Sequence, residues 1–158
     1  MTATVHQLNV SSGGVPKRPV EQATLGIEGL AGDGHDHPTI HGGPERALCL
    51  YALERIDALR AEGHPVEPGS FGENVTVRGL DWDAVLPGAR LRIGATLVEV
   101  TRYTTPCKTI APSFADGGFN RIHAARHAGW SRAYARVVEG GEIARGDPVE
   151  FVKSASES

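Results

Sequence analysis

Along this chain, apolar positions recur in short runs that alternate with polar ones or carry β-branched residues. Such runs predict strands at residues 3–10, 22–27, 46–51, 74–78, 90–93, 96–103, 133–139 and 148–152. Glycine and proline punctuate them at Ser12-Gly13-Gly14, Pro87-Gly88, Gly94, Gly140-Gly141 and Gly146-Asp147. The runs on either side of Gly94-Ala95 read as the clearest hairpin. Helical spacing shows at 52–62, where Leu53, Ile56 and Leu59 share a face and Gly63 stands before Pro65. A second helix is predicted at 119–127, with Ile122 inward and Gly129 beyond its end. No alternation of strand and helix suggests a parallel sheet. Seven or eight short strands with two inserted helices predict a mainly β fold, a closed or nearly closed β-barrel of about seven strands.

Length and composition narrow the field. A chain of 158 residues reads as one domain over 1–152 with a disordered tail at 153–158, able to bury about two-thirds of its unfolded surface. Sixteen basic and nineteen acidic residues give a net charge of −3, which argues against nucleic acid or an anionic membrane as partner. No apolar run approaches the ~20 residues that cross a bilayer. Two cysteines do not make a secretory disulfide framework, and no signal peptide is visible, so the expected compartment is the cytoplasm.

The cysteines differ in setting. Cys49 lies within the apolar run Ala47-Leu48-Cys49-Leu50-Tyr51, where burial as a small hydrophobe accounts for it. Cys107 follows a strand in the turn Thr104-Thr105-Pro106-Cys107-Lys108, where a thiol beside a lysine can ionise and meet a ligand. A half-buried loop cysteine without a task is the competing reading. In His41-Gly42-Gly43-Pro44-Glu45-Arg46, two glycines free the backbone to form an anion-binding nest, and Arg46 offers a planar fork for phosphate. A plain tight turn explains the same residues. His35, His37 and His41, with Asp33 and Asp36, have the chemistry of a divalent-metal site but no recognised ligand spacing, and a solvated polar loop suits them better. Asn74, after Pro68-Gly69-Ser70-Phe71-Gly72-Glu73, suits reading the edge of a heterocycle or bonding its own turn. Trp130 and Tyr134, flanking Arg132, read as core. Neither a G-x-S-x-G elbow, nor H-E-x-x-H, nor a phosphate-binding P-loop is present.

In chain order, GLAGDGH, HGGPERAL, PGSFGENVTVRGLDW, PGARLRIG, VEVTRYTTPC and GWSRAYARV resemble the MOSC domain, the module named after the C-terminal part of molybdenum cofactor sulfurases. The resemblance runs from about Leu8 to Val152, and is to the small stand-alone bacterial type related to proteins that protect cells against N-hydroxylated purines. It implies a β-barrel of the MOSC, pyruvate-kinase-like kind. It makes Cys107 the family's thiol, a molybdenum ligand in some members and a proposed sulfur carrier in others. Asn74 matches the asparagine beside the molybdenum cofactor (molybdopterin), and Thr105 the small polar residue ahead of the Pro-Cys pair. His41, Gly42, Gly43 and Arg46 match the segment near the pterin or its phosphate.

The resemblance implies a molybdenum-dependent reductase of N-hydroxylated compounds, or a cofactor or persulfide carrier with Cys107 bearing the sulfur. A divalent-metal hydrolase on His35, His37 and His41 stands outside both. A reductase would draw electrons from a separate flavin or iron–sulfur protein, and a carrier would need a pyridoxal-phosphate-dependent cysteine desulfurase in trans. No lysine here is placed to hold pyridoxal phosphate. A homodimer is left open.

Overall fold

The computed structural model describes residues 2–11, 15–33 and 46–152. Its strands are β1 (Ala3–Val10), β2 (Arg18–Val20), β3 (Gln22–Gly26), β4 (Gly29–Leu30) and β5 (Leu48–Ala52). Helix α1 (Leu53–Ala61) follows, then β6 (Val75–Arg78), β7 (Arg90–Ile93), β8 (Thr96–Tyr103), β9 (Ala133–Glu139), β10 (Gly141–Ala144) and β11 (Pro148–Val152). Neighbouring strands run β1-β6-β5-β9-β8-β7-β11, and β11 pairs back to β1, so seven strands close into a barrel. Near its far end β1 also pairs with β2, and β10-β3-β4 form a small separate sheet.

The period-two pattern explains why these segments are strands and which side faces in. On β9, Ala133, Ala135 and Val137 are buried while Tyr134 and Arg136 are half-exposed. Leu48 and Leu50 of β5 stand opposite Ala135 and Ala133, and Leu50 also stands beside Val75 of β6. Leu8, Leu91, Ile93, Val98, Val100 and Val149 complete the interior.

The described structure departs from the sequence reading in four places. First, β5 and β6 pair in parallel, joined across the sheet by α1, where no parallel pairing was expected. A strand followed by a helix had been there to read, but a single such unit is too little to register as alternation. Second, 119–127 is not a helix; only a 3-10 turn at Phe119–Ile122 forms, and turns follow. A lone buried Ile122 gives that segment no apolar stripe to hold a longer helix. Third, β2, β4 and β10 are added; each is short or glycine-bearing, below what periodicity detects. Fourth, Arg46 precedes its strand, which starts at Leu48, and Asn74 precedes β6. The glycine pair at 13–14 and the tail 153–158 lie outside the described residues.

Helix α1 buries Ile56 and Leu59 as predicted. Gly63, at φ +99°, ends it: the Gly63 N–H donates to Arg60 O (2.9 Å) and His64 N–H to Leu59 O (3.2 Å), the reverse turn that glycine makes best. Among the described residues, no helix is long and apolar enough to cross a membrane.

Every residue of β5 is buried, so this strand is the least tolerant of truncation. Leu50→Ala should cost about 2–5 kcal/mol, read as a lowered urea midpoint at unchanged slope.

Candidate functional site

The outer face of β5 and β9, and not the barrel interior, collects the chemistry. Alternation turns Cys49 and Tyr51 of β5 outward, and Tyr134 stands directly opposite Cys49. Tyr51 is sealed beneath Phe71 and Trp82, whose rings meet it edge-on at 5.9 and 5.8 Å, and its hydroxyl donates to Trp130 O (2.6 Å). Burial pushes the Cys49 thiol up to about 12, so Cys49 is an un-ionised filler.

Cys107 is exposed. Its backbone is held from both sides. Upstream, the Thr104 N–H donates to Arg132 O (3.1 Å), carrying the β8–β9 pairing past its last residue, and Pro106 is buried. Downstream, the Ile110 N–H donates to Cys107 O (3.1 Å) at the head of a 3-10 helix, Lys108–Ser113, whose Ile110 is buried. The thiol lies 3.3 Å from the Thr109 hydroxyl. Rigid backbone with an open sulfur is the geometry a ligating or reacting thiol requires.

Tyr134 stands opposite Cys49 and within electrostatic reach of Cys107. The guanidinium carbons of Arg46 and Arg102 each lie 5.9 Å from its ring centre, within cation–π range. Burial raises its phenol to about 12; the Cys49 and Cys107 thiols add to the rise, and Arg132 and Arg102 oppose it. Tyr134 is therefore not the core residue that the sequence suggested. It faces outward, and the Ala133, Ala135, Val137 alternation was the signal that would have placed it there.

Asn74 knits the floor of the site. Its Oδ1 accepts the Cys49 N–H (2.9 Å), and its Nδ2 donates to Asp33 Oδ2 (2.8 Å) and Asn9 O (3.4 Å). Asp33 Oδ1 takes the Lys17 ammonium (2.6 Å) and the Ser11 N–H (3.0 Å). The Asn74 side chain is thus occupied by protein partners, and they lie on other segments of the chain, not in its own turn. Lys17 and Asn9 carry no motif in the sequence, and Asp33, grouped there with the histidine loop as possible metal chemistry, is instead engaged by Lys17, Asn74 and the Ser11 N–H.

Beside them Glu73 is fully buried. Its Oε2 accepts the Gly69 N–H (2.9 Å) and the Thr76 hydroxyl (3.1 Å), while Oε1 has no partner. Burial pushes its carboxyl above the ordinary range, against those hydrogen bonds and the nearby Arg132 charge. Gly69 is required here: at φ +91°, a Cβ would sit 2.5 Å from Lys17 O. Thr105 is exposed, two residues before the thiol, and Arg46 is half-buried over Tyr134. His35, His37, His41, Gly42 and Gly43 lie outside the described residues, and so does any metal site built on them. Among the described residues no group of three or more histidine, cysteine or acidic side chains is placed to hold a metal ion.

The chain belongs to the MOSC domain family: its residues 37–150 match the MOSC domain. It is 32% identical over 141 residues to the uncharacterized protein YflK of Bacillus subtilis, covering 88% of this chain. To protein YiiM of Escherichia coli it is 30% identical over 136 residues, covering 82%. It spans only 63% and 58% of the length of those two relatives. The crystal structure of YiiM from Geobacillus stearothermophilus matches with a TM-score of 0.74 at 27% identity, covering 96% of this chain and 75% of that one. The YUAD protein of Bacillus subtilis shares the fold, with a TM-score of 0.76 at 19% identity and 96% coverage of both chains. MOSC domains in general are associated with the molybdenum cofactor.

Two outcomes follow from the site's burial pattern. A thiol-specific reagent should label one cysteine, Cys107, in the native chain and both in denaturant; native labelling of Cys49 would contradict its burial. For Glu73, the folded chain holds its proton to higher pH than the unfolded one. Its stabilisation is therefore complete below the ordinary value of 4.5 and is lost as pH rises through the folded value. Glu73→Gln should flatten that part of the stability profile, read as urea midpoints measured above pH 4.5.

Proposed function

We propose that this chain binds the molybdenum cofactor through Cys107 and reduces N-hydroxylated compounds. The observation that carries the reading is the exposed Cys107 thiol on a backbone fixed at both sides, in a chain of the MOSC family. The donor chemistry fits the group: a thiolate is a soft anionic ligand, suited to a metal already held by dithiolene sulfurs. Arg46, fixed over Tyr134, fits the cofactor's anionic tail. When bound, the cofactor would supply two-electron chemistry at the N–O bond; an N-hydroxylated amine, two electrons and two protons become the amine and water. The chain's own part is positioning. Cys107 anchors, Thr105 lies beside it on the open turn, and Asn74 keeps the floor rigid by fixing Asp33 and the Cys49 backbone. The substrate class rests on the resemblance to proteins protecting against N-hydroxylated purines, and electrons would come from a flavin or iron–sulfur protein.

The carrier reading uses the same exposed sulfur, loaded as a persulfide by a separate desulfurase. Elemental analysis of protein from a cofactor-competent host separates the two. The reductase reading expects about one molybdenum per chain, one thiolate serving one metal, and none in Cys107→Ser. Absence of molybdenum from wild type, with a mass gain of one sulfur on Cys107 after incubation with a desulfurase, would replace it with the carrier.

A further inference from the structure

Between β8 and β9 the chain makes an excursion over residues 104–132, and Cys107 lies near its start. The excursion is fastened to the turn that ends α1 and to the segment just after it. Phe114 is buried, its ring stacked on Phe71 (5.3 Å) and met edge-on by His64 (5.1 Å). Arg121 grips Glu62 through two bonds, Nε to Oε1 (3.0 Å) and Nη2 to Oε2 (2.7 Å). A further fastening differs in kind: the Ala115 N–H donates to His64 Nδ1 (3.1 Å).

That bond ends a short backbone relay from the thiol. Cys107 O accepts the Ile110 N–H (3.1 Å), Ala111 O accepts the Phe114 N–H (3.0 Å), and the next amide is that of Ala115. His64 is itself steady: its N–H donates to Leu59 O (3.2 Å), its carbonyl accepts the Val66 N–H (2.9 Å), and its side chain is 11% exposed. A ring nitrogen accepts a hydrogen bond only while it carries no proton. His64 is therefore the neutral imidazole here, with its ring proton on Nε2, which faces Glu62 Oε1 at 3.6 Å. A second proton would go to Nδ1 and confront the Ala115 N–H, donor against donor. The charged groups nearby leave room for it. Glu62, held by Arg121 of the neighbouring 3-10 turn, faces Nε2 as a counter-charge. Asp116, the next charge along the excursion, has Oδ1 taken by the Gly118 N–H (2.9 Å).

We propose that His64 is a positioning residue for the Cys107 turn, and that protonating His64 releases its hold. The hold is complete while the imidazole is neutral and is lost as pH falls and the ring takes up its second proton. Phe114 and the Glu62–Arg121 pair keep the excursion attached, so release loosens the thiol's platform without unfolding it. The device is the same whether Cys107 ligates a metal or carries sulfur.

Two measurements on the full chain, prepared without cofactor, test this from about pH 7.5 to about pH 5.5, the range in which imidazoles titrate. The first is hydrogen exchange of the Ala115 amide, normalised to its intrinsic rate, with Val98 of β8 as the reference amide. Protection of Ala115 should fall about fivefold relative to Val98, the worth of one ordinary hydrogen bond. The second is the spectral mobility of a nitroxide attached to Cys107, which should rise over the same range. His64→Asn places a side-chain carbonyl near the position of Nδ1 that takes no proton, and should keep the label restrained at both ends. His64→Leu fills the space without an acceptor and should leave the label mobile at both. His123 is the control: its Nδ1 accepts the Ala125 N–H (3.1 Å) within its own turn, so His123→Asn should preserve the wild-type response. Ala115 protection that does not change with pH in the wild type, or a mobility change that survives in His64→Asn, overturns the proposal.

Discussion

Strand β5 is buried on both of its faces, and most of the structure is arranged to make that sustainable. Leu48 and Leu50 fill the barrel, while Cys49 and Tyr51 point outward and need a roof. Phe71, Trp82 and Trp130 supply it over Tyr51. At the other end Asn74 brackets Cys49, taking its N–H through the side chain and giving its own N–H to the Cys49 carbonyl (2.8 Å). A strand without a solvated face has no tolerance for an unpaired backbone group, and here each end is closed by a specific partner.

The same roofing sets the electrostatics of the outer face. Lys17 and Asp33 are almost wholly enclosed, at 8% and 3% side-chain exposure, but they satisfy one another and Asp33 takes further N–H donors. Removing either would strand the other in a water-free setting, a far larger penalty than the pair's net worth. Burial pushes the Glu73 carboxyl above the ordinary range, against its bonds to the Gly69 N–H and the Thr76 hydroxyl, and among the described residues Arg132 has no carboxylate partner. Four enclosed ionisable groups thus meet the same environment in different ways: Lys17 and Asp33 pair, Glu73 is pushed above the ordinary carboxylate range, and Arg132 gives Nη1 to the Phe71 carbonyl.

Much of the barrel was legible in the sequence because its strands alternate cleanly; 3–10, 90–93, 96–103, 133–139 and 148–152 match the observed spans. The parallel β5–β6 pair was not, since register between distant segments leaves no local trace. The second helix failed for want of more than one inward residue. Cys107 stood out because a turn is an unusual home for a thiol, and its exposure fits that reading. Tyr134 was misjudged as core because an aromatic within an apolar run looks buried until the small residues around it are assigned to the other face. Arg102 and Lys17 join the site only through the tertiary fold, which a pattern along the chain cannot express.

Barrel closure rests on a narrow seam. β1 and β11 are matched only at Ala3 with Val149 and Thr4 with Pro148, reinforced by Val5 N–H to Asp147 O (2.9 Å) and Gly146 N–H to Val5 O (2.8 Å). Pro148 brings no N–H to this junction. The β8–β9 ladder, by contrast, runs from Leu97 with Glu139 to Tyr103 with Ala133. The cylinder is therefore built like a clasped bracelet, with its weakest link on one side. Opening the clasp turns it into a curled open sheet without disturbing the strands that carry Tyr134 and lead to Cys107. Breathing at the seam and order at the reactive face can then coexist in one molecule.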